Sequence, residues 1–454
     1  MVKKNEILTI EIENVTAKGF GIAKVKDFVL FTEGGLLGDK LSVRVLKVKP
    51  SYGYGKILRV LRPSPHRIES PCPVSDRCGG CQWQHADYQA QLGYKKAIVT
   101  DALTRIGGLN DPPVQDVIGM DVPQPYRNKA VFPVVPVGDG GFAIGMYAPR
   151  SHRIIPLAMC AIQHPAHVQV LEVVRDYMRR HKVKAYDEIT HSGVMRYVII
   201  RTSQATGEVM VVLVVNSNGL PKEADLADEL TAIGATTVLI NPHRDKGNAV
   251  TGGHFRVLTG EGFIRERIGG VWYQLSAPSF FQINPVQTAV LYDVAVDIAV
   301  LTGSEVVLDA HVGVGGVALQ AAGKAKEVIG VDIVPEAVGD AEKNAALNDI
   351  KNARFICGAA EDVIPELLAA GDVPDVVFLD PPRKGCDKAL LDALIAAQVK
   401  KIVYISCDPA TLARDVKKLV EGGYALNGVQ PVDMFPMTGK VEVCCRLDRI
   451  AGLM

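Results

Sequence analysis

A cysteine stands at the end of an apolar segment in residues 401–416, which read KIVYISCDPATLARDV. The pattern predicts a buried strand over residues 402–405, a turn around Cys407 and a helix after the turn. Such a turn lifts one thiol out of the end of a strand. Cysteine there is either an inert buried residue or a nucleophile, and the inert interpretation is the more common one. Other motifs must therefore decide its role.

A glycine loop follows an earlier predicted strand. The strand VVLD ends in Asp309, and the loop HVGVGG brings Gly313 and Gly315 before a helix. Glycines there let a backbone approach a ligand closely, and Asp332 at the end of the next strand is placed to accept hydrogen bonds from ribose hydroxyls. This spacing suits S-adenosylmethionine better than NAD. The alternative is a simple strand-to-helix turn with a surface aspartate.

A third acidic motif ends the strand DVVFL at Asp380, in the sequence Asp-Pro-Pro-Arg. The two prolines fix a rigid loop at the rim where the glycine loop is expected. Acid-Pro-Pro motifs of this kind recur in nucleic-acid methyltransferases. The motif therefore favours a site for a cofactor and a target base at one sheet edge.

Four of the nine cysteines have the spacing of a metal site. Cys72, Cys78 and Cys81 form C-x5-C-x2-C, and Cys160 stands alone further along the chain. Four thiolates can enclose a [4Fe–4S] cluster or bind tetrahedral zinc, and both alternatives are open at this point. The C-x3-C gap of a radical S-adenosylmethionine cluster is absent. Because all four positions would be protein ligands, we expect a structural role.

The elements that must position these residues form three predicted domains. Residues 284–454 alternate apolar strands with helices, which predicts an α/β, doubly wound Rossmann-like domain with ligands at the carboxyl ends of its strands. Residues 63–283 read as a central α+β domain that carries the cysteines. Residues 1–62 read as five short strands with glycine-rich turns, which predicts an OB-like β-barrel.

The charge distribution supports a nucleic-acid surface on that barrel. Net charge over the chain is zero, but residues 1–70 hold 13 Lys and Arg against 7 Asp and Glu. Phe20, Tyr52 and Tyr54 are candidates to stack on bases, the alternative being that they form the barrel core. The first residues lack a signal-peptide pattern, and the longest uncharged stretch is a poor membrane span. We expect a cytoplasmic protein without a membrane partner or an evident obligate protein partner.

Several motifs together resemble a known family. The segments SFFQINPVQT, DAHVGVGG, FLDPPRKG, ISCDPATLARD and DMFPMTGKVEVCCRL are similar to those of the RNA uracil-5-methyltransferase family. The N-terminal stretch resembles a TRAM domain. The barrel and the four cysteines together resemble the iron–sulfur branch of that family that acts on 23S ribosomal RNA. The resemblance covers essentially the whole chain and favours a [4Fe–4S] cluster over zinc.

The resemblance also implies roles for individual residues. Cofactor contacts are implied for six positions: Gln282, His311, Gly313, Gly315, Asp332 and Asp380. Cys407 is implied as the nucleophile that attacks uracil C6, and Glu442 as the base that removes the proton from C5. The target uridine is expected to flip out of its stack.

Some features depart from the family pattern, and other functions stay open. His311 stands where an aromatic residue is usual, Gly316 where threonine or asparagine is usual, and Lys440 where histidine is usual. The alternatives are uracil-5 methylation of transfer RNA, cytosine-5 methylation of RNA, and a catalytically degenerate iron–sulfur protein that binds RNA. Cytosine-5 enzymes usually present two separate cysteine motifs, and only one appears here.

Overall fold

The computed structural model describes residues 2–138 and 140–452. Its first sheet is built from six strands in the order β1-β5-β6-β4-β3-β2. These strands are β1 (Ile7–Glu11), β2 (Asn14–Val15), β3 (Phe20–Val25), β4 (Phe28–Glu33), β5 (Lys40–Val48) and β6 (Tyr52–Arg62). The alternating side chains of Leu30, Leu41 and Val43 fill its core. Six strands form where the sequence predicts five, because the buried Ile12 pairs with the Gly38–Asp39 turn and separates β1 from β2.

A seven-stranded sheet forms the centre of the chain, in the order β13-β12-β11-β10-β7-β8-β9. Its strands are β7 (Lys129–Val137), β8 (Gly141–Tyr147), β9 (Ile154–Pro156), β10 (Met195–Thr202), β11 (Val209–Val215), β12 (Thr237–Pro242) and β13 (Arg256–Thr259). Helices α2 (Pro165–Arg180) and α3 (Glu223–Ala232) accompany it. Helix α1 (Tyr88–Arg105) packs instead against the last sheet of the chain, through Val99 and Leu103. Apolar residues of α2 and α3 pack on one face of the sheet. The hairpin of β14 (Phe263–Ile268) and β15 (Val271–Ser276) follows.

The last part of the chain is a doubly wound sheet in the order β18-β17-β16-β19-β20-β22-β21. Its strands are β16 (Val306–Asp309), β17 (Glu327–Asp332), β18 (Ala353–Cys357), β19 (Val376–Leu379), β20 (Lys401–Ser406), β21 (Tyr424–Val432) and β22 (Glu442–Arg449). The helices are α4 (Pro285–Ala299), α5 (Gly316–Ala322), α6 (Pro335–Leu347), α7 (Ala360–Ala369), α8 (Lys388–Ala396) and α9 (Pro409–Glu421). The first five strands of the sheet are parallel, whereas β22 runs antiparallel to both of its neighbours.

Strand order places the sequence motifs at one rim. In a parallel sheet the carboxyl ends of all strands share an edge, so Asp309, Asp332, Asp380 and Cys407 emerge on the same side. Because β22 is antiparallel, its first residue, Glu442, reaches that edge as well. The mixed α/β fold class is therefore confirmed. None of the helices in the two described ranges is both long and apolar enough to cross a bilayer.

A buried ion pair connects helix α1 to the segment that leads into β22. The ammonium group of Lys95 contacts the carboxylate of Asp433, and both side chains have 0% exposure. Lys95 Nζ also donates to the carbonyl oxygen of Phe435 at 3.0 Å. The hydroxyl of Tyr88 donates to the second oxygen of Asp433 at 2.9 Å and accepts from the N–H of Met120 at 2.8 Å. The two charges are therefore enclosed by hydrogen-bonding partners, which is what a buried pair needs.

Replacing Lys95 by methionine leaves the charge of Asp433 buried without its partner. We expect Lys95→Met to lower the free energy of unfolding by about 3–5 kcal/mol, because one partner of a buried pair is left uncompensated. Urea denaturation measures this loss. Lys96→Met is the matched control, since Lys96 pairs with Asp116 on the surface and should contribute less than about 1 kcal/mol. Equal losses in the two variants would contradict the buried pair.

Candidate active site

Backbone register brings Cys407 and Glu442 together. Strands β20 and β22 are antiparallel, with Ser406 opposite Val443. Extending that register by one residue places Cys407 opposite Glu442 at the rim. The turn after β20 is fixed by Asp408, whose carboxylate accepts from the N–H groups of Ala410 and Thr411 at 2.9 and 3.3 Å. The half-buried thiol thus has a defined position beside a buried carboxyl group.

The surroundings of Cys407 and Glu442 disfavour the charged forms of both side chains in the unliganded enzyme. Burial raises the pKa of the Cys407 thiol to about 11, and the carboxylates of Glu442 and Asp380 add to the rise, while Arg383 opposes it. Burial also raises the pKa of Glu442 well above its usual range, with Asp380 adding and the cations Lys440 and Arg383 opposing. A carboxyl group with a raised pKa is a stronger base once ionised, which suits proton abstraction from carbon.

Two further aspartates line the same edge with raised pKa values. Burial raises the pKa of Asp380 to about 7. Burial likewise raises the pKa of Asp309 to about 7; the N–H of His311, which donates to Asp309 Oδ1 at 3.1 Å, opposes the rise, and the charge of Asp380 adds to it. Tyr292 lies in the field of these acids, and burial first, then their charges, raises its pKa too. Titratable groups with strongly perturbed pKa values that gather at one edge of a sheet are candidates for a functional site.

The shape of the glycine loop depends on backbone angles that glycine adopts without strain. Gly313 and Gly315 have φ angles of 53° and 99°, in the left-handed region that glycine adopts without strain. The N–H of Gly313 donates to Asp332 Oδ2 at 2.9 Å, which ties the loop to the end of β17. A Cβ on Gly316 would lie 2.8 Å from the hydroxyl oxygen of Tyr292. That contact explains why glycine stands at 316 in this chain.

His311 and Gln282 flank this loop in different ways. His311 is partly buried, and burial lowers its pKa to about 4, so its imidazole is neutral at physiological pH. Its buried Nδ1 has no hydrogen-bond partner among the described residues. Gln282 is 8% exposed, and its backbone carbonyl accepts from the side-chain amide of Asn128 at 3.1 Å. The segment before α4 is therefore fastened to the central sheet.

The four cysteines of the predicted metal site meet around one small cavity. It is lined by Cys72, Cys78, Cys81 and Cys160. Weak N–H donors already face two of the sulfurs, from the backbone of Gly80 to Cys78 Sγ and from the amide of Gln84 to Cys81 Sγ, each at 3.4 Å. Within residues 2–138 and 140–452, no three His, Cys, Asp or Glu side chains converge as the ligands of a metal ion.

Arg127 joins the cysteine cavity to the rim. Its side chain lines the cavity, and its buried Nε has no acceptor in the part of the chain that the structure describes. Burial raises the pKa of Cys81, and the charge of Arg127 opposes that rise. Burial lowers the pKa of Lys440, and the charges of Arg383 and then Arg127 lower it further. The sequence alone identifies neither Arg127 nor Tyr292 as a site residue, because neither belongs to a spaced motif.

Replacing Asp309 by asparagine removes a buried ionisable group and keeps its shape. In the unfolded chain this carboxyl ionises near pH 4, whereas in the folded chain it holds its proton to about pH 7. Stability is therefore lost as the pH rises from about 4 to 7. Above pH 7 we expect Asp309→Asn to be more stable than the wild type by roughly 2–4 kcal/mol, and to gain nothing below pH 4.

Urea denaturation across this pH range measures the difference between the two proteins. Asp349→Asn is the control, because Asp349 is exposed, and it should leave the pH dependence unchanged. A difference between Asp309→Asn and wild type that is constant with pH would contradict the buried, protonated carboxyl group.

Comparison with known proteins identifies the family of this chain. A model described as tRNA (Uracil-5-)-methyltransferase matches residues 261–450, and a TRAM domain model matches residues 2–58. A protein of Halalkalibacterium halodurans named an uncharacterized RNA methyltransferase is 45% identical over 447 residues, covering 97% of this chain and 96% of that protein. A protein of Clostridium tetani with the same description is 44% identical over 443 residues, covering 97% and 96%.

A solved structure shows the same fold. The tRNA (uracil-54, C5)-methyltransferase of Pyrococcus abyssi, in complex with S-adenosyl-L-homocysteine, superposes with a TM-score of 0.77 at 25% identity. The match covers 97% of this chain and 100% of that chain. The predicted TRAM barrel and the methyltransferase fold are thereby confirmed. The chain belongs to the tRNA (uracil-5-)-methyltransferase family, whose members are S-adenosylmethionine-dependent RNA methyltransferases.

Proposed function

We propose that this enzyme methylates C5 of a uridine in 23S ribosomal RNA, with Cys407 as nucleophile and Glu442 as base. The observation that carries the proposal is the register that sets this thiol and this carboxyl group opposite each other, beside the glycine loop. Cofactor contacts are assigned to the rim residues that the sequence singled out, which are Gln282, His311, Gly313, Gly315, Asp332 and Asp380. S-adenosylmethionine supplies an electrophilic methyl group on its sulfonium.

The proposed reaction uses the thiol and the carboxyl group in successive steps. The Cys407 thiolate attacks uracil C6, and the C5=C6 electron pair moves to C5 and the C4 carbonyl as an enolate. C5 then takes the methyl group from the sulfonium, whose S–CH3 bond breaks to leave the neutral thioether S-adenosylhomocysteine. The Glu442 carboxylate removes the remaining proton from C5, the C5=C6 bond forms again, and the thiolate leaves. The raised pKa values mean that both groups must lose protons when substrate binds, and the positive charge of Arg383 favours that loss at each of them.

An aromatic surface on the TRAM barrel supports RNA binding. Phe20, Phe31, Tyr52 and Tyr54 are all partly exposed, and neighbouring ring centroids lie 5.7 to 6.0 Å apart. Exposed rings on a small barrel are suited to stacking with unpaired bases. A target uridine must be unstacked to reach Cys407, so single-stranded or loop RNA is the expected substrate form.

Methylation of transfer RNA is the second candidate. The Pyrococcus abyssi enzyme named for transfer RNA matches 97% of this chain, so the barrel alone does not choose between the two RNA classes. The choice of ribosomal RNA depends on the four cysteines and on the resemblance they carry.

We assign a [4Fe–4S] cluster rather than zinc to the cysteine cavity. All four thiols line one cavity, which either group could occupy, and the preference for the cluster comes from the family resemblance that the four cysteines carry. Four thiolates bring negative charge, and the buried Nε of Arg127 without an acceptor lies beside them. All four ligand positions would be filled by protein, so the proposed role is structural.

Removing the nucleophile or the base should have different consequences. Cys407→Ala should bind RNA and S-adenosylmethionine normally but lose at least about a thousand-fold in methyl transfer, because C5 is not activated. Glu442→Gln should accumulate a covalent RNA adduct, since attack and transfer remain possible while release stalls. The measurement is transfer of labelled methyl groups, with denaturing gels to detect the adduct.

The substrates for this assay are ribosomal and transfer RNA from a strain that lacks the gene. Label in ribosomal RNA is the expected result, and label confined to transfer RNA would establish the second candidate. The control variant is Cys357→Ala, which removes an exposed cysteine four strands away from Cys407 in the sheet order. Its binding of S-adenosylmethionine is measured in parallel, because Cys357 pairs with Asp332. A Cys407→Ala enzyme that still methylates uridine would rule out the proposed nucleophile.

Metal analysis tests the cluster separately from activity. Protein purified without oxygen should contain about four iron and four sulfide ions per chain. Cys81→Ser should lose both, and Cys357→Ser should retain them. One tightly bound zinc ion without sulfide would support the rival metal and overturn the cluster.

A further inference from the structure

A second cavity lies in the central domain, outside the site built around Cys407. Its volume is about 570 Å³, which is within the range of small-molecule and nucleotide sites. It opens on the face of the central sheet that α2 and α3 leave uncovered. Alternation along β7 explains this, because Ala130 and Phe132 point toward α2, whereas Val131 and Pro133 line the cavity.

The cavity walls are rigid aromatic surfaces. Tyr147, Tyr186 and Tyr197 line it, and the guanidinium carbon of Arg196 lies 4.3 Å from the ring centroid of Tyr186. Arg196 is 5% exposed and donates to the carbonyl oxygens of His243 and Asp245, each at 2.8 Å. The guanidinium plane is thereby held against the tyrosine before any ligand arrives.

The rim of the cavity is predominantly basic. Lys246 and His152 are exposed at its edge, with His191 and Arg196 close by. Among the described residues that line the cavity, Glu188 is the single acid, and its carboxylate lies 3.2 Å from Nδ1 of His152. Aromatic walls inside a basic rim are complementary to a base that carries a phosphate.

One loop connects this cavity to the barrel. Residues 148–153 contribute His152 to the cavity, and two residues earlier Arg150 contacts the barrel. The guanidinium of Arg150 pairs with Glu33 at 2.9 Å and lies 5.8 Å from the ring centroid of Phe20, which belongs to the aromatic surface of the barrel. The loop 148–153 therefore lies next to the aromatic surface of the barrel at Arg150 and next to the cavity at His152.

We propose that this cavity takes one unstacked nucleotide of the RNA substrate, distinct from the target uridine, with its base against the tyrosines and its phosphate facing Lys246. The inference rests on the proposed RNA substrate. A nucleotide held here fixes the position of the strand between the barrel and the active site. The cavity thus contributes to selection of the target uridine without contact to it.

Photo-crosslinking locates this nucleotide. The probe is a single-stranded RNA of about a dozen nucleotides with 5-fluorouridine at one position and 4-thiouridine at others, a length that spans a barrel and its neighbour. After irradiation, mass spectrometry should find 4-thiouridine on peptides that contain Tyr147, Tyr186 or Tyr197. Crosslinks confined to the barrel and the Cys407 rim would overturn the proposal.

The same probe separates this inference from the proposed reaction. An adduct at Cys407 without crosslinks in the cavity would reject the second nucleotide and leave the reaction intact. Crosslinks in the cavity without adduct or methyl transfer would reject the reaction and leave the cavity. Repeating the crosslinking with Cys407→Ala shows that occupancy does not require the covalent step.

Reversing the charge of Lys246 at the rim measures how much the cavity contributes to RNA binding. Lys246→Glu should weaken binding of the probe about five- to 100-fold, in line with loss of one stacked and neutralised nucleotide, and leave S-adenosylmethionine binding unchanged. The control is Lys417→Glu, an exposed lysine on α9 that does not line the cavity. Since Lys246 is exposed, the variant should fold normally. Equal effects of the two substitutions would contradict a specific site.

Discussion

Lys95 and Asp433 are 338 residues apart in the chain and form an ion pair that solvent does not reach. Removing two charges from water is costly, and here the cost is offset by mutual attraction and by hydrogen bonds from Tyr88 and to the Phe435 carbonyl. The pair fixes the start of the segment 433–441, and Glu442 follows directly after that segment. The position of the proposed base therefore depends on an interaction between two segments that are far apart in the chain.

The acidic residues at the rim lower the stability of the folded protein. Asp309, Asp380 and Glu442 are gathered where burial raises their pKa values, and each additional ionised carboxylate makes the next less favourable. Backbone register, and not attraction between side chains, keeps Cys407 opposite Glu442. A sheet fixed by long-range contacts such as the Lys95 pair can sustain this arrangement, because the energy that the rim loses is supplied elsewhere.

The sequence predicts those parts of the site that depend on local pattern. Asp309, Asp380 and Cys407 end apolar strands, so the alternation of strands and helices places them at one edge. Glu442 follows no such rule, since its strand runs in the opposite direction, and only the family resemblance suggested it. The Lys95 pair and the contact between Gly316 and Tyr292 depend on tertiary packing of distant segments, which carries no local signature. The split of the first barrel strand at Ile12 has the same origin.

The cysteine loop and the segment before the base form one hydrogen-bonded unit. The N–H groups of Gln82 and Trp83, immediately after Cys81, both donate to the carbonyl oxygen of Met437 at 3.0 Å. The side chain of Gln91 on α1 accepts from the N–H of Met437 at 2.8 Å. Since Met437 lies five residues before Glu442, a change in the cysteine loop is transmitted through backbone contacts to the rim. A structural group in the cysteine cavity would therefore act on the reaction through the position of the base, without touching the substrate.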